Sequence, residues 1–212
     1  MFDYYINAFA TLFVTIDPVG LAPMFLALTA GMSQIDRKRV AIRATLTGGI
    51  ILGVFYLTGP TFLDVLGISV SAFRIAGGIL LFLIAVEMVF GKRQARKTET
   101  AEKMAETAEE QHRSIQELAV FPLAIPLIAG PAAISAIILL SGEAPDTITY
   151  AGLGLVIFTV VISCLGSFLL ADKIERRLGD TAQLIITRLL GVILAALSVQ
   201  FVADGVLALL AG

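Results

Sequence analysis

With 212 residues, 58% of them hydrophobic, and a formal net charge of −2, the chain is far more apolar than the about 45 to 50% usual for soluble domains; its mean hydropathy of +0.92 points to a membrane protein. The single cysteine, Cys164, and the single histidine, His112, exclude an intrachain disulfide and a metal centre built on His or Cys, so neither metal nor cofactor is expected. The small net charge says little about partners, because the charges are segregated along the chain.

Six stretches reach the roughly 20 apolar residues that a hydrocarbon core of about 30 Å demands, near residues 4–28, 43–63, 68–90, 118–140, 148–170 and 184–210. The first follows Met1-Phe2-Asp3, which carries no Lys or Arg, and is too long for a cleavable signal, so it is expected to stay in the mature chain. Asp17-Pro18-Val19-Gly20-Leu21-Ala22-Pro23 interrupts it. Each proline deletes a backbone donor, which frees the carbonyls of Val14 and Val19. Lipid offers no replacement partner, so such a break belongs where protein groups or a water-filled cavity can satisfy it. Asp17 itself is an acid at mid-span, where insertion costs about 2.5 to 3.5 kcal/mol. It suits a proton, a sodium ion or a substrate amine, and equally the capping of a half-helix that starts at Pro18. A capping Asp17 partly offsets the positive helix end, which favours zwitterions or cations over simple anions.

The second span carries Gly49-Ile50-Ile51-Leu52-Gly53, a small-residue pattern that lets helix backbones approach. Arg74 lies inside the third span and can snorkel to the interface or pair with Asp17 or a substrate carboxylate. Glu87, about one turn from that span's far end, is expected to pair with Lys92 or Arg93. Residues 91–117 mix six Glu with six basic residues. Lys92, Arg93, Arg96 and Lys97 are expected among anionic headgroups, and orientation accounts for the cluster without nucleic acid. The fourth span is interrupted by Pro122-Leu123-Ala124-Ile125-Pro126 and by Gly130-Pro131, which frees the carbonyls of Leu118, Pro122 and Leu127. Ser135, one turn later, can line the same cavity or bond back to its own helix. Cys164 falls in the fifth span. The sixth holds Arg188, the pattern Gly191-Val192-Ile193-Leu194-Ala195, and Ser198, Gln200 and Asp204.

Of the 15 Lys and Arg, all but Arg74 and Arg188 lie in the first, third and fifth connections. The positive-inside rule then sets these loops in the cytoplasm and both termini outside, on the periplasmic face. Sliding the chain on itself by about 113 residues aligns Asp17-Pro18 with Gly130-Pro131, Gly53 with Gly166, Phe55 with Phe168, Leu66-Gly67 with Leu178-Gly179, Arg74 with Arg188, and Gly77 with Gly191. Three spans per half make the second copy enter from the opposite side. The expected architecture is one all-α membrane domain over 1–212: repeat 1 at about 1–90, a cytoplasmic polar segment at 91–117, and an inverted repeat 2 at about 118–212. Spans 1 and 4 would be broken helices that meet near the midplane.

The stretches Asp17-Pro18-Val19-Gly20-Leu21-Ala22-Pro23-Met24-Phe25 and Pro126-Leu127-Ile128-Ala129-Gly130-Pro131-Ala132-Ala133-Ile134-Ser135 resemble the two signature segments of the MarC family of bacterial inner-membrane proteins, and the likeness runs over essentially the whole chain. The resemblance implies a six-span protein of the LysE-like exporter group, one branch of which is regarded as neutral amino acid transporters.

From residues and resemblance together, the expected function is secondary transport of a small polar metabolite such as a neutral amino acid, driven by a proton or sodium gradient. The solute and coupling-ion site is assigned to Asp17, Pro18, Gly20, Pro23, Pro126, Gly130, Pro131 and Ser135, with Arg74 and Arg188 as further candidates. The partners are the lipid bilayer, the solute and the coupling ion, and a homo-oligomer is compatible with this. A channel, a lipid-carrier flippase and a non-transporting scaffold are the alternatives. No phosphate loop ending in Lys-Ser or Lys-Thr appears and no nucleophile has a nearby base, so no enzyme is expected.

Overall fold

The computed structural model describes residues 2–93, 96, 99 and 123–211, leaving aside the side chains at 175–178, 180 and 211. Lys97, Lys103, His112, Arg113, Leu118 and Pro122, with nearly all of 91–117, lie outside the described residues, as do the side chains of Arg176 and Arg177. What is described is helix and turn throughout: α1 (Phe2–Ile16), α2 (Ala22–Leu28), α3 (Gln34–Val65), α4 (Val70–Val89), a short π-type turn (Leu123–Ile128), α5 (Pro131–Glu143), α6 (Thr147–Leu169) and α7 (Ala171–Ala211). Four stretches are long and apolar enough to cross a membrane: Gln34–Val65, Val70–Val89, Thr147–Leu169 and Thr181–Leu210. The apolar helices Phe2–Ile16 and Pro131–Glu143 are shorter.

The caps explain where the long helices begin. Ser33 is the N-cap of α3, accepting from the Asp36 N–H at 3.2 Å, and its hydroxyl donates to the Asp36 carboxylate at 2.7 Å, which holds the cap in place. This starts α3 at Gln34, ahead of the apolar run from 43, and draws Arg37, Lys38, Arg39 and Arg43 onto the helix. Ser69 opens α4 by accepting from the Ala72 N–H. Asp146 opens α6 by accepting from Thr149 N–H at 2.8 Å. α7 follows α6 after one residue and is interrupted at Gly179, whose φ of 60° and ψ of 167° are not helical.

α5, most of α2 and the C-terminal half of α1 lie inside, and the long helices outside. In α5 every residue from Ala132 to Ser141 except Ile134 is buried, as expected of a helix that is apolar all round. On the long helices Leu46, Ile50, Leu155, Phe158, Leu189 and Val192 stay exposed, and bilayer lipid is the medium that suits such a surface.

Without water to drive apolar faces together, small residues at the contacts let the helices close. α4 and α7 run antiparallel: Gly78 lies opposite Ser198 and Val202, Gly191 opposite Ala85 and Met88, and Gly205 opposite Ser71 and Ile75. A Cβ on Gly78 would stand 3.0 Å from the Ser198 carbonyl oxygen, a backbone atom that cannot swing aside. The Gly49-to-Gly53 pattern divides. A Cβ on Gly49 would stand 3.1 Å from Val161, whereas nothing lies within 4 Å of one on Gly53.

α3 and α6 also run antiparallel and share a clasp. Pro60 sits inside α3 and has no N–H to give the carbonyl of Tyr56. The Tyr150 hydroxyl donates to that carbonyl at 2.6 Å, the Tyr56 hydroxyl donates to the Tyr150 carbonyl at 2.7 Å, and the rings stack at 4.5 Å. At the other ends of α3 and α6, Arg37 of α3 meets Asp172 at the start of α7 at 3.4 Å, and Phe25 of α2 stacks on Phe168 of α6 at 4.8 Å.

Candidate functional site

α1 ends where Asp17 adopts a left-handed backbone with φ of 60°, a conformation that short polar side chains tolerate better than most. Its N–H still bonds to the Phe13 carbonyl at 2.9 Å, and its own carbonyl accepts from Leu21 N–H at 3.1 Å. The buried carboxylate folds over the next turn, with Oδ1 accepting from Gly20 N–H at 3.1 Å. A Cβ on Gly20 would collide with that carboxylate, so this turn demands glycine. Pro18 and Gly20 are buried with Asp17, and Pro23 sits partly buried in the first turn of α2. The first predicted span therefore appears as two short helices joined by the turn at 17–21.

The carbonyls freed here find partners in distant parts of the chain. Val19 accepts from Ala22 N–H and from Gln183 Nε2 of α7, each at 3.2 Å. The Thr15 carbonyl, at the negative end of α1, accepts from the guanidinium of Arg93. Arg93 was expected among headgroups; it is instead 7% exposed. α4 ends at Val89 and Gly91 has a φ of 73°, a left-handed turn just before Arg93. The guanidinium also donates to the Met88 sulfur at 3.2 Å, and Asp17 and Glu87 lie within its electrostatic reach. A buried cation is costly unless it is paired, and these four groups supply the pairing.

The second predicted interruption reads differently in detail. Ile125 is extended, at φ −133° and ψ 121°, and the Ile125–Pro126 bond is cis. The Ala129 N–H reaches back to the Ala124 carbonyl at 2.9 Å. Gly130 then caps α5 with no side chain to offer and Pro131 takes the first turn, the position where proline's missing N–H costs nothing. A Cβ on Gly130 would collide with the Pro126 carbonyl.

The two regions face one cavity of about 300 Å³, lined by Thr15, Ile84, Arg93, Arg96, Pro126, Leu127, Gly130, Pro131, Ala132 and Ala133. It holds the C-terminal end of α1, the N-terminal end of α5 and two guanidinium groups. Pro126, Gly130 and Pro131 thus line it directly, while Asp17, Pro18 and Gly20 are not among its lining residues. Ser135 is buried one turn into α5 beside Gly77 of α4. Glu87 pairs with Arg96, at 2.6 Å, where Lys92 or Arg93 was expected.

Arg74 and Arg188 do not join this group. Arg74 meets Glu143, at the end of α5, with 2.9 Å between Nε and Oε1 and both side chains largely buried. The contact is close but lacks hydrogen-bond alignment, so it holds by charge. Arg188 is exposed and runs beside Gly91. Among the described residues no group of three His, Cys, Asp or Glu is placed to hold a metal ion.

The chain belongs to the MarC family: the sequence model of that family, described as MarC family integral membrane protein, matches residues 2–210. It is 37% identical over 205 residues to a UPF0056 membrane protein of Archaeoglobus fulgidus, covering 96% of this chain and 92% of that one. It is also 37% identical over 206 residues to the UPF0056 membrane protein YhcE of Escherichia coli, covering 97% and 93%. A UPF0056 membrane protein of Buchnera aphidicola from Acyrthosiphon pisum is 38% identical over 208 residues, covering 98% and 94%. No solved structure matches the chain.

Proposed function

We propose that this MarC-family integral membrane protein is a secondary transporter of a small polar metabolite, such as a neutral amino acid, in the bacterial inner membrane. In this reading α1 with α2, and the turn at 123–128 with α5, each make one interrupted crossing. They join the four long helices as six spans in two inverted halves, with both termini outside. The antiparallel pairing of α3 with α6 and of α4 with α7 supports the inversion, because an axis in the membrane plane relates helices of opposite direction.

The observation that carries the proposal is the cavity of about 300 Å³ between Thr15 and Pro126–Ala133. Its volume is at the small end for ligand sites. Ends of interrupted helices are also where transporters of other folds keep their solutes. Asp17, buried two residues after the cavity-lining Thr15, is the candidate coupling group.

Purified protein in liposomes tests this by exchange of labelled L-alanine against an internal pool. Saturable uptake accelerated by internal solute is expected of a carrier. Flux without such acceleration would point to a channel, and the absence of flux for L-alanine and a panel of other small metabolites would remove transport. In the Asp17→Asn variant exchange should persist while gradient-driven accumulation falls at least tenfold. Unchanged accumulation would take Asp17 out of the coupling.

A further inference from the structure

The cavity's chemistry restricts what it can hold. Asp17 suggested a preference for zwitterions or cations over simple anions, yet among the described residues the charged side chains that line the space are Arg93 and Arg96. Arg96 is engaged by Glu87. Arg93 is more than nine-tenths buried and donates to the Thr15 carbonyl and the Met88 sulfur, with Asp17, which is not among the residues lining the space, within its electrostatic reach.

Opposite Arg93 is the start of α5. The first backbone bond of that helix runs from Ile134 N–H to the Gly130 carbonyl at 3.0 Å, Pro131 has no N–H, and Gly130 offers no side-chain cap. The N–H groups of Ala132 and Ala133 therefore precede the helical ladder, at its positive end. A helix end alone would not define a site. Thr15 is an independent sign: it is 1% exposed, it lines the cavity, and its hydroxyl oxygen has no hydrogen-bond partner among the described residues. A helical threonine ordinarily bonds back to its own turn, and a buried hydroxyl left unmatched costs about 1 to 3 kcal/mol. An oxygen-rich occupant removes that cost.

We propose that this cavity recognises the carboxylate of a small solute, with Arg93 as the counter-charge, the Thr15 hydroxyl as a donor, and the N–H groups of Ala132 and Ala133 at the other oxygen. The inference rests on the transport reading for the nature of the occupant. Arg93 then has two partners to divide itself between, the Thr15 carbonyl and the solute. Occupancy draws it off the end of α1, and loss of solute returns it. A guanidinium fits this task because its planar fork can hold a carboxylate through two parallel bonds.

The test compares solutes of similar size that differ in charge, on the full chain in lipid nanodiscs, by calorimetric titration. The probes are L-alanine, L-alaninamide, propionate and propylamine. L-Alanine and propionate should bind at least tenfold more tightly than L-alaninamide and propylamine. Arg93→Gln should weaken L-alanine at least tenfold, and Arg93→Lys should restore part of the loss. Because Arg93→Gln also uncaps α1 and can misfold, the comparison of solutes on the unaltered chain stands as its own arm. Equal binding of L-alanine and L-alaninamide overturns the proposal, as does failure of all four probes to bind. The same probes in the liposome exchange assay separate the two claims. Exchange that ignores the carboxylate leaves transport standing without this site, and carboxylate-specific binding without exchange leaves the site standing without transport.

Discussion

Asp17 closes one helix with its backbone and holds the following turn with its side chain. Asn presents the same acceptor to Gly20 N–H, so Asp17→Asn should cost less than about 1 kcal/mol, whereas Gly20→Ala drives a methyl group into the carboxylate and should cost about 1 to 3 kcal/mol. Thermal unfolding in detergent distinguishes them: near-unchanged Tm for the first and a clear drop for the second. The acid at the break was legible in the sequence, because Asp-Pro is a local signal, but the start of the half-helix, expected at Pro18, was not: α2 begins at Ala22 after Leu21 with no side-chain cap, and Asp17 holds only the turn between. Nor was Arg93 legible. Its burial depends on the left-handed Gly91 turning the chain back beneath α1, and a Gly followed by Lys-Arg reads equally well as a helix end at the headgroups. The partner of Arg74 was hidden for a similar reason, since Glu143 lies 69 residues away in sequence and no local pattern joins the two. Both side chains are mostly buried, so Glu143→Gln should strand the Arg74 charge and cost about 3 kcal/mol. Replacing both at once, Arg74→Met with Glu143→Leu, should recover most of that loss in the same unfolding assay.

Among the elements, the long helices were read correctly as apolar and helical, with boundaries moved by their caps. α3 begins about nine residues before its apolar run because Ser33 caps the helix at the Asp36 N–H, and the hydrophobic pattern carries no trace of that. Small residues announced close packing but did not say which of them would be used. Gly78→Val should force α4 away from the Ser198 carbonyl and abolish folding or cost about 3 kcal/mol, the upper range for overpacking. Gly53→Ala enters open space and gains helix propensity, so it should be neutral or stabilising by up to about 1 kcal/mol. A loss of stability at Gly53 as large as at Gly78 would show that Gly53 packs against a second copy or a lipid. Pro60 interrupts the backbone hydrogen-bond ladder inside α3. It is tolerated in α3 because Tyr150 reaches the carbonyl that Pro60 leaves vacant, a partner about 90 residues distant that only the antiparallel pairing supplies.

At the scale of the whole molecule, composition alone established a membrane protein, and charge segregation gave a definite topology to test. On a Cys164→Ala background, Ser33→Cys and Ile68→Cys sit at opposite ends of α3. A membrane-impermeant maleimide applied to intact spheroplasts should label residue 68 and spare residue 33 until the membrane is permeabilised; the reverse pattern would invert the orientation. Cys164 is buried, so the background in the unaltered chain is already low.

The clasp between α3 and α6 has one more consequence. The chain contains four tyrosines and no tryptophan. Tyr4 and Tyr5 meet edge-on at 5.7 Å, Tyr5 lies against Gly152, and Tyr150, two residues earlier on α6, stacks on Tyr56. Every tyrosine is thus gathered at one end of the molecule, and the end that bears Arg37 and Asp172, whose stacked rings are Phe25 and Phe168, is dark to excitation in the tyrosine band. Tyrosine emission from the native chain is a label-free reporter of a single bilayer face, and a solute-dependent change in it would signal movement there and nowhere else.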